Sequence, residues 1–446
     1  MSKHTTSYKC NECNYQTVKW LGCCPECKNW DSFAELATAK SAGAKATFAT
    51  ATMVNLSTIT TTNQERMLSG NKEWDRVAGG GIMPSSLLIL TGDPGIGKST
   101  LLLQICQGLA LNHTVFYFST EESLAQLKLR AERLACTADN LFFSDQASLE
   151  SIVATAQQQK PEVIIIDSVQ NCYLGDSKTT PGSIAQLREA TFHLMRLAKE
   201  HTITIIMSGH ITKEGNIAGP KTLEHMVDGV FYLQGEDRWQ TRVLRSVKNR
   251  FGTLNELGFF EMREDGLHEV PNINEQLVNE ATHCPGSVLV SVIEGSRPLL
   301  LELQALSIES KLGIPQRVVS GLDHKQVVLI AAILEKYLQV RLSAQDIFFK
   351  VSGGFKIKGS STDLGIALAL LSSYFQQPLP EKSIALGEIS LTGQIKPINQ
   401  ISMYINEAEK FGIQQLLLAK NQKCESVLGT VKRFSNVYEL LTLFSS

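Results

Sequence analysis

The sequence lacks a strong charge of either sign: its 446 residues carry a net charge of −2. A chain-wide basic field is thereby excluded, and any surface for nucleic acid has to be local. It also lacks a long apolar run. No stretch of about 18 apolar residues occurs, so neither a spanning helix nor a membrane partner is expected. The first residues, Met1 to Lys9, hold no apolar signal core, which makes a cytoplasmic protein the default expectation. Cysteine spacing suited to a disulfide framework is missing too. Of ten cysteines, five fall between Cys10 and Cys27 and the rest stand singly. That is the pattern of a metal site plus ordinary core thiols in a reducing compartment. No internal repeat is visible. What is present is a hydrophobic content of 43%, ample for the cores of about two or three domains.

Texture changes along the chain. Residues 1–33 are rich in cysteine and aromatics. Residues 34–60 are rich in Ala, Thr and Ser with few charges, and read as a linker. From 61 to 270 short apolar strands alternate with helical patterns. The strands expected are Leu87–Leu90, Val115–Phe118, Val163–Ile166, Ile203–Met207 and Val230–Leu233. That alternation implies βαβ units and a mostly parallel sheet, an α/β fold. A boundary is expected near Val270-Pro271-Asn272, and residues 275–446 form a further α/β region with Gly-rich turns.

The most specific motif is Gly92-Asp93-Pro94-Gly95-Ile96-Gly97-Lys98-Ser99, which fits the phosphate-binding pattern G-x-x-x-x-G-K-[ST]. Leu87–Leu90 precedes it as a strand, and a helical stretch from Thr100 follows. Backbone N–H groups at a helix start suit the dense negative charge of a triphosphate such as ATP. Lys98 can reach the outer phosphates, and the Ser99 hydroxyl can join a Mg²⁺ shell. Val163–Ile166 ends in Asp167, an acid placed to organise Mg²⁺, although Asp is also a common turn residue. The strand Val115–Phe118 leads to Glu121 and Glu122. A carboxylate at that sheet edge can deprotonate the attacking water; the bland reading is that both acids open the next helix. Glu121 is chosen as the base and Glu122 receives the lesser role. Beyond Ile203–Met207, the polar run Ser208 to Lys213 could sense the γ-phosphate and pass its state to a mobile segment from Lys213 to Pro220.

Near the N-terminus, Cys10-x2-Cys13 and Cys24-x2-Cys27 lie ten residues apart. Two such knuckles can converge four thiolates on one Zn²⁺. A segment this short cannot fold on apolar burial, so zinc is expected to be structural. Redox chemistry at one pair is the alternative. Cys23 breaks the spacing to Cys27 and is left out of the ligand set.

Several motifs together resemble the RadA (Sms) family of bacterial DNA repair proteins. They are Trp20-Leu21-Gly22 before Cys24-Pro25, Gly79-Gly80-Gly81, the run Gly219 to Asp228, and above all Lys248-Asn249-Arg250-Phe251-Gly252. The resemblance covers nearly the whole chain. It implies a zinc ribbon, a RecA-like P-loop ATPase and a Lon-protease-like domain. It further implies a homohexamer that hydrolyses ATP, binds single-stranded and branched DNA, and drives branch migration alongside RecA. Similarity to ring helicases of the DnaB type supports Glu121 as the catalytic glutamate. By the same resemblance Lys248 and Arg250 act across a subunit interface, where a neighbour's cation can stabilise the transferring phosphoryl group. A DNA-phosphate role and a plain strand-to-turn role stay open for them.

In the C-terminal region, Gly359 to Ala367 and Gly387 to Ile398 resemble the Lon protease around its nucleophile. Counting places Ser361 at the nucleophile position and Tyr404 where a lysine base belongs. A tyrosine of pKa near ~10 is protonated at neutral pH, so a proteolytically inactive scaffold is expected. Its cations Lys311, Arg317, Lys325, Lys336, Arg341, Lys350, Lys356 and Lys358 are candidates for duplex DNA, or simply solvated surface. Three functions are in play: a DNA-dependent ATPase motor, a non-motor ATP switch, and an ATP-dependent protease.

Overall fold

A computed structural model describes the chain apart from residues 1–6, 14, 37–52, 59–64, 176–179, 181, 211–222, 236–240, 255, 312–313, 425–428 and 445–446. The segment Lys213 to Pro220 and most of the 34–60 stretch therefore lie outside the described residues. The chain divides into two units, Met1–Thr62 and Asn63–Ser446. No helix among the described residues is long and apolar enough to cross a membrane.

In the first unit, strand β1 (Ser7–Cys10) pairs antiparallel with β2 (Gln16–Thr17) on one side and β3 (Phe33–Leu36) on the other. Only Cys10, Cys24 and Ser32 are buried among its described residues. So small an interior gives almost no hydrophobic stabilisation.

The second unit opens on a short helix, α1 (Lys72–Val77), whose Asn71 side chain caps Trp74 N–H. Six parallel strands follow: β4 (Leu87–Gly92), β5 (Val115–Ser119), β6 (Leu141–Ser144), β7 (Val163–Asp167), β8 (Thr204–His210) and β9 (Gly229–Gly235). Their order is β9-β4-β8-β7-β5-β6. Every residue of β4, β5 and β7 is buried, as strands covered by helices on both faces must be. The covering helices are α2 (Lys98–Leu109), α3 (Leu124–Arg133), α4 (Leu149–Gln159) and α5 (Ile184–His201). Ser123, Ser148 and Ser183 each cap a helix start by accepting an N–H, which satisfies donors the helix itself cannot. Alternate residues serve opposite faces. Leu88, Leu90, Tyr117 and Ile165 enter one core, while Leu87, Ile89, Phe116 and Ile164 enter the other.

All five strands expected from the sequence are present. The edge strand β6 and the antiparallel extension of the sheet go beyond those five. There β10 (Thr241–Asn249), β11 (Leu257–Arg263) and β12 (Gly266–Glu269) continue outward from β9.

From α6 (Ile273–Glu280) onward a second sheet forms. Its strands are β13 (Ser287–Glu294), β14 (Arg297–Glu309), β15 (Arg317–Ser320), β16 (Gln345–Val351), β17 (Ser383–Leu386), β20 (Gln415–Ala419) and β21 (Thr430–Phe434), in the order β15-β16-β14-β13-β17-β20-β21. The two-residue strands β18 (Glu388–Ile389) and β19 (Ile395–Lys396) pair separately. Helices α7 (His324–Leu338), α8 (Asp363–Phe375) and α9 (Ile401–Lys410) pack on it, and α8 is buried from Asp363 to Ser373. The two sheets share a core: Val243, Leu257 and Phe259 cluster with Leu299, Leu301 and Ile347. Ion pairs Glu73–Arg297 (3.3 Å) and Arg245–Glu294 (3.1 Å) tie the same joint.

Candidate functional site

Strand β4 delivers Gly92 to the sheet edge, the chain turns through residues 93–97, and α2 begins at Lys98. Two glycines of this loop answer to the neighbouring strands. A Cβ on Gly92 would stand 2.2 Å from the Leu233 carbonyl oxygen, and one on Gly97 would stand 2.6 Å from Met262 Cε. Asp93, Pro94 and Gly95 are exposed, Ile96 is half-buried, and Lys98 is buried. Lys98 Nζ donates to the carbonyls of Gly92 and Asp93, each at 2.9 Å. Burial pushes its amine down, against the pull of Asp167, Glu121 and Asp93.

A cavity of about 250 Å³ lies over this loop and takes in Lys98, Ser99 and Thr100 from α2. Glu121 and Asp167 reach it from the ends of β5 and β7. Asp167 is held at both oxygens: Oδ2 accepts the Tyr117 hydroxyl at 2.7 Å, and Oδ1 accepts the Ser208 hydroxyl. Burial pushes the Tyr117 phenol well up, so it serves as a donor. Thr120 stitches the two strand ends together, through Thr120 N to Asp167 O (2.8 Å) and the Thr120 hydroxyl to Ser168 O (2.7 Å). Glu121 then accepts from the Ser168 hydroxyl. The carboxylates of Glu121 and Asp167 are thus fixed in the cavity that Ser99 also lines, a donor set of hard oxygens suited to Mg²⁺. The loop, its helix start and its lysine fit a nucleoside triphosphate. Glu122 does not open α3, whose cap is Ser123; it pairs instead with Arg130 at 2.5 Å.

Lys248 and Arg250 lie elsewhere. In the register of β10 on β9 and β9 on β4, Lys248 is level with Ile89 and Asn249 with Leu88. That is three to four residues, roughly 10–13 Å along the strands, before Gly92. Neither cation lines the cavity of its own chain. Lys248 Nζ donates to Val227 O (2.8 Å) and to Glu224 O, and burial pushes its amine down. Arg250 pairs at 3.2 Å with Asp228, which also pairs with Lys199 (3.0 Å) and accepts Leu87 N–H. The other motif glycines meet this segment: a Cβ on Gly79 would stand 3.0 Å from Gly252 Cα, and Asn249 Nδ2 donates to Ala78 O. What does sit at the loop end of the β9–β10 hairpin is Arg242, whose Nε donates to Ile96 O at 3.3 Å. Sequence reasoning passed over Arg242, Arg130, Tyr117 and Ser168. Only the strand register and helix packing bring them to the loop or to the carboxylates beside it. The side chain of His210 and the run from Ile211 to Thr222 lie outside the described residues.

In the first unit the sulfurs of Cys10, Cys13, Cys24 and Cys27 all lie within 4.8 Å of one another. Cys10–Cys27 and Cys13–Cys24 approach to 3.6 and 3.4 Å. A tetrahedral zinc with bonds near 2.3 Å sets its sulfurs about 3.8 Å apart, so the four fit the ion. Cys23 is turned away, its thiol donating to Lys28 O.

In the C-terminal region the two Lon-like stretches meet: Gly387 N–H donates to Ser361 O, and Leu364 N–H to Gly387 O. Tyr404 is buried, with the Ser361 side chain near it. Burial pushes this phenol up, with the Ser361 contact opposing. Lys410 pairs with Glu407 at 2.9 Å, and Lys396 is exposed. Lys325, Lys356 and Lys358 line one groove of about 1030 Å³ beside Ser360. Arg317 donates instead to the Leu342 and Gln345 carbonyls.

Comparison with known proteins follows this layout. A rubredoxin metal binding domain matches residues 8–35, an AAA domain residues 63–216, and the subunit ChlI of Mg-chelatase residues 310–422. The chain is 42% identical over 425 residues to the DNA repair protein RadA of Halalkalibacterium halodurans, covering 94% of this chain and 93% of that protein. It is 41% identical over 438 residues to the DNA repair protein RadA of Haemophilus influenzae, with 96% of each covered. The crystal structure of the RadB recombinase, 21% identical, aligns with 46% of this chain and 99% of its own, at a TM-score of 0.38.

Proposed function

This chain belongs to the RadA family of DNA repair proteins, and from that premise we propose that it is a DNA-dependent ATPase motor that remodels recombination intermediates. Its chemistry is ATP hydrolysis and its setting is recombination and repair. The carrying observation is the cavity that gathers Lys98, Ser99, Glu121 and Asp167. In this reading the backbone N–H groups from Gly92 to Thr100, Pro94 excepted, cradle the phosphates. Lys98 neutralises the outer ones, and Ser99 and Asp167 hold Mg²⁺. Glu121 takes the proton of the attacking water. Mg²⁺ supplies charge neutralisation on the departing phosphates.

Lys248 and Arg250 stand at the far sheet edge, so any part they play in hydrolysis is played at the nucleotide of a neighbouring subunit. This is what a homohexameric ring would provide. We assign residues 1–33 to the zinc ribbon, 34–60 to a linker, 61–270 to the ATPase and 275–446 to a Lon-like domain without protease activity. The buried Tyr404 beside Ser361 supports that last assignment, because a protonated phenol cannot serve as the base. The groove lysines Lys325, Lys356 and Lys358 are offered to DNA phosphates, and RecA is the proposed recombinase partner in branch migration.

The test measures ATP turnover with and without single-stranded DNA, together with unwinding of a forked duplex. Stimulation and unwinding are expected. A protein that binds ATP yet shows neither is an adaptor, not a motor. Casein should stay intact with both the natural chain and Ser361→Ala; cleavage lost on that substitution would make it a protease.

A further inference from the structure

The two acids that follow β5 are neighbours in sequence but have different partners. Glu121 accepts from the Ser168 hydroxyl. Glu122 Oε1 meets Arg130 Nη2 at 2.5 Å, with both side chains less than one third exposed. Arg130 sits in the second turn of α3, between the buried Leu127 and Ala131, and Leu127 joins a core with residues of the sheet. The helix packing therefore sets where the guanidinium stands, and the guanidinium sets where Glu122 points. Both line the cavity with Lys98, Glu121 and Asp167. Three carboxylates and two cations share that wall. A second carboxylate loose beside the first would compete for the same water and repel its negative charge.

We infer that Arg130 is a positioning residue for ATP hydrolysis. By binding Glu122 it leaves the attacking water to Glu121 alone. The inference rests on Glu121 as the base. An arginine suits the task because its charge is permanent and its planar fork fixes a carboxylate in direction as well as distance.

Steady-state ATP hydrolysis of Arg130→Ala, Arg130→Lys and the double variant Arg130→Ala/Glu122→Gln tests this. Arg130→Ala should lower kcat roughly ten- to a hundredfold, the scale of a displaced catalytic group. KM should change by less than about threefold, because ground-state binding is untouched. Arg130→Lys should recover part of the rate, since it keeps the charge and loses the fork. The double variant should recover most of it, because the uncharged amide that Glu122→Gln introduces no longer competes. A merely structural arginine would not be rescued by changing its partner. A double variant as slow as Arg130→Ala overturns the inference, as does an Arg130→Ala enzyme that keeps its kcat or loses only affinity. Should Arg130→Ala not fold, Arg130→Gln, which keeps helix propensity, carries the same comparison. Glu121→Gln is run alongside. If it turns over ATP at the natural rate, it is the base assignment that has failed, whatever the Arg130 series shows.

Discussion

At the scale of single residues, the nucleotide cavity is a problem of charge placement. Lys98 is buried among carbonyls and three nearby carboxylates, so its amine is aimed before any phosphate arrives. Lys98→Ala removes a donor directed at developing charge and should reduce ATP turnover by at least about a hundredfold; a phosphate-release assay reads this directly. Glu121→Gln keeps the shape and the Ser168 contact but removes the proposed base. Its kcat should fall roughly 10²- to 10⁴-fold while nucleotide affinity, followed by fluorescence of a labelled analogue, stays close to natural. A natural kcat in Glu121→Gln would move the base elsewhere. Lys98 was legible in the sequence because it lies at a fixed offset in one strand-and-turn motif, and Glu121 because it follows the next strand and fits the resemblance to ring helicases. Ser208 and Tyr117, which hold Asp167 from β8 and β5, were not, since their roles depend on strand order.

At the scale of elements, two small pieces depend on what they meet. The ribbon buries three residues among those described, so its folding free energy has to come from the metal. One zinc per chain, about one equivalent, should be released on chelation and read with a metallochromic dye. Limited proteolysis of the stripped protein should then cut within residues 8–35 while the ATPase core keeps its melting transition. A ribbon that resists protease without metal would contradict this. The Lys248–Gly252 segment has a comparable dependence on close approach. A Cβ on Gly252 would stand 2.8 Å from Gly79 Cα and 2.9 Å from Asn249 Nδ2. Gly252→Ala should therefore destabilise the second unit by about 1–3 kcal/mol, the usual cost of overpacking, seen as a lower midpoint in urea.

At the scale of the whole molecule, the far placement of Lys248 and Arg250 makes a prediction about assembly. If these cations serve a neighbour's nucleotide, Lys98→Ala and Lys248→Ala should each be inactive alone yet regain hydrolysis when mixed. In a mixed assembly some interfaces join an intact loop from one subunit to an intact Lys248 from the next. Failure of complementation under conditions where the variants co-assemble would remove the cross-subunit role. Binding to DNA should also weaken steeply with salt, because a chain of net charge −2 can hold phosphates only through local clusters such as Lys325, Lys356 and Lys358.

The amino-acid sequence by itself determined the α/β class, the phosphate loop with its helix, the strand-ending Asp167 and the spacing of the zinc knuckles. All of these are local patterns, in which a few residues apart in the chain are also neighbours in space. The tertiary structure alone decided the rest. The register of β10 on β9 carried Lys248 away from the loop and brought Arg242 to it. The packing of α3 gave Glu122 to Arg130, and the packing of α9 set the buried Tyr404 near Ser361. Such pairings join residues far apart in the chain, and only the burial of apolar faces between strands and helices chooses among the many partners that composition alone would allow.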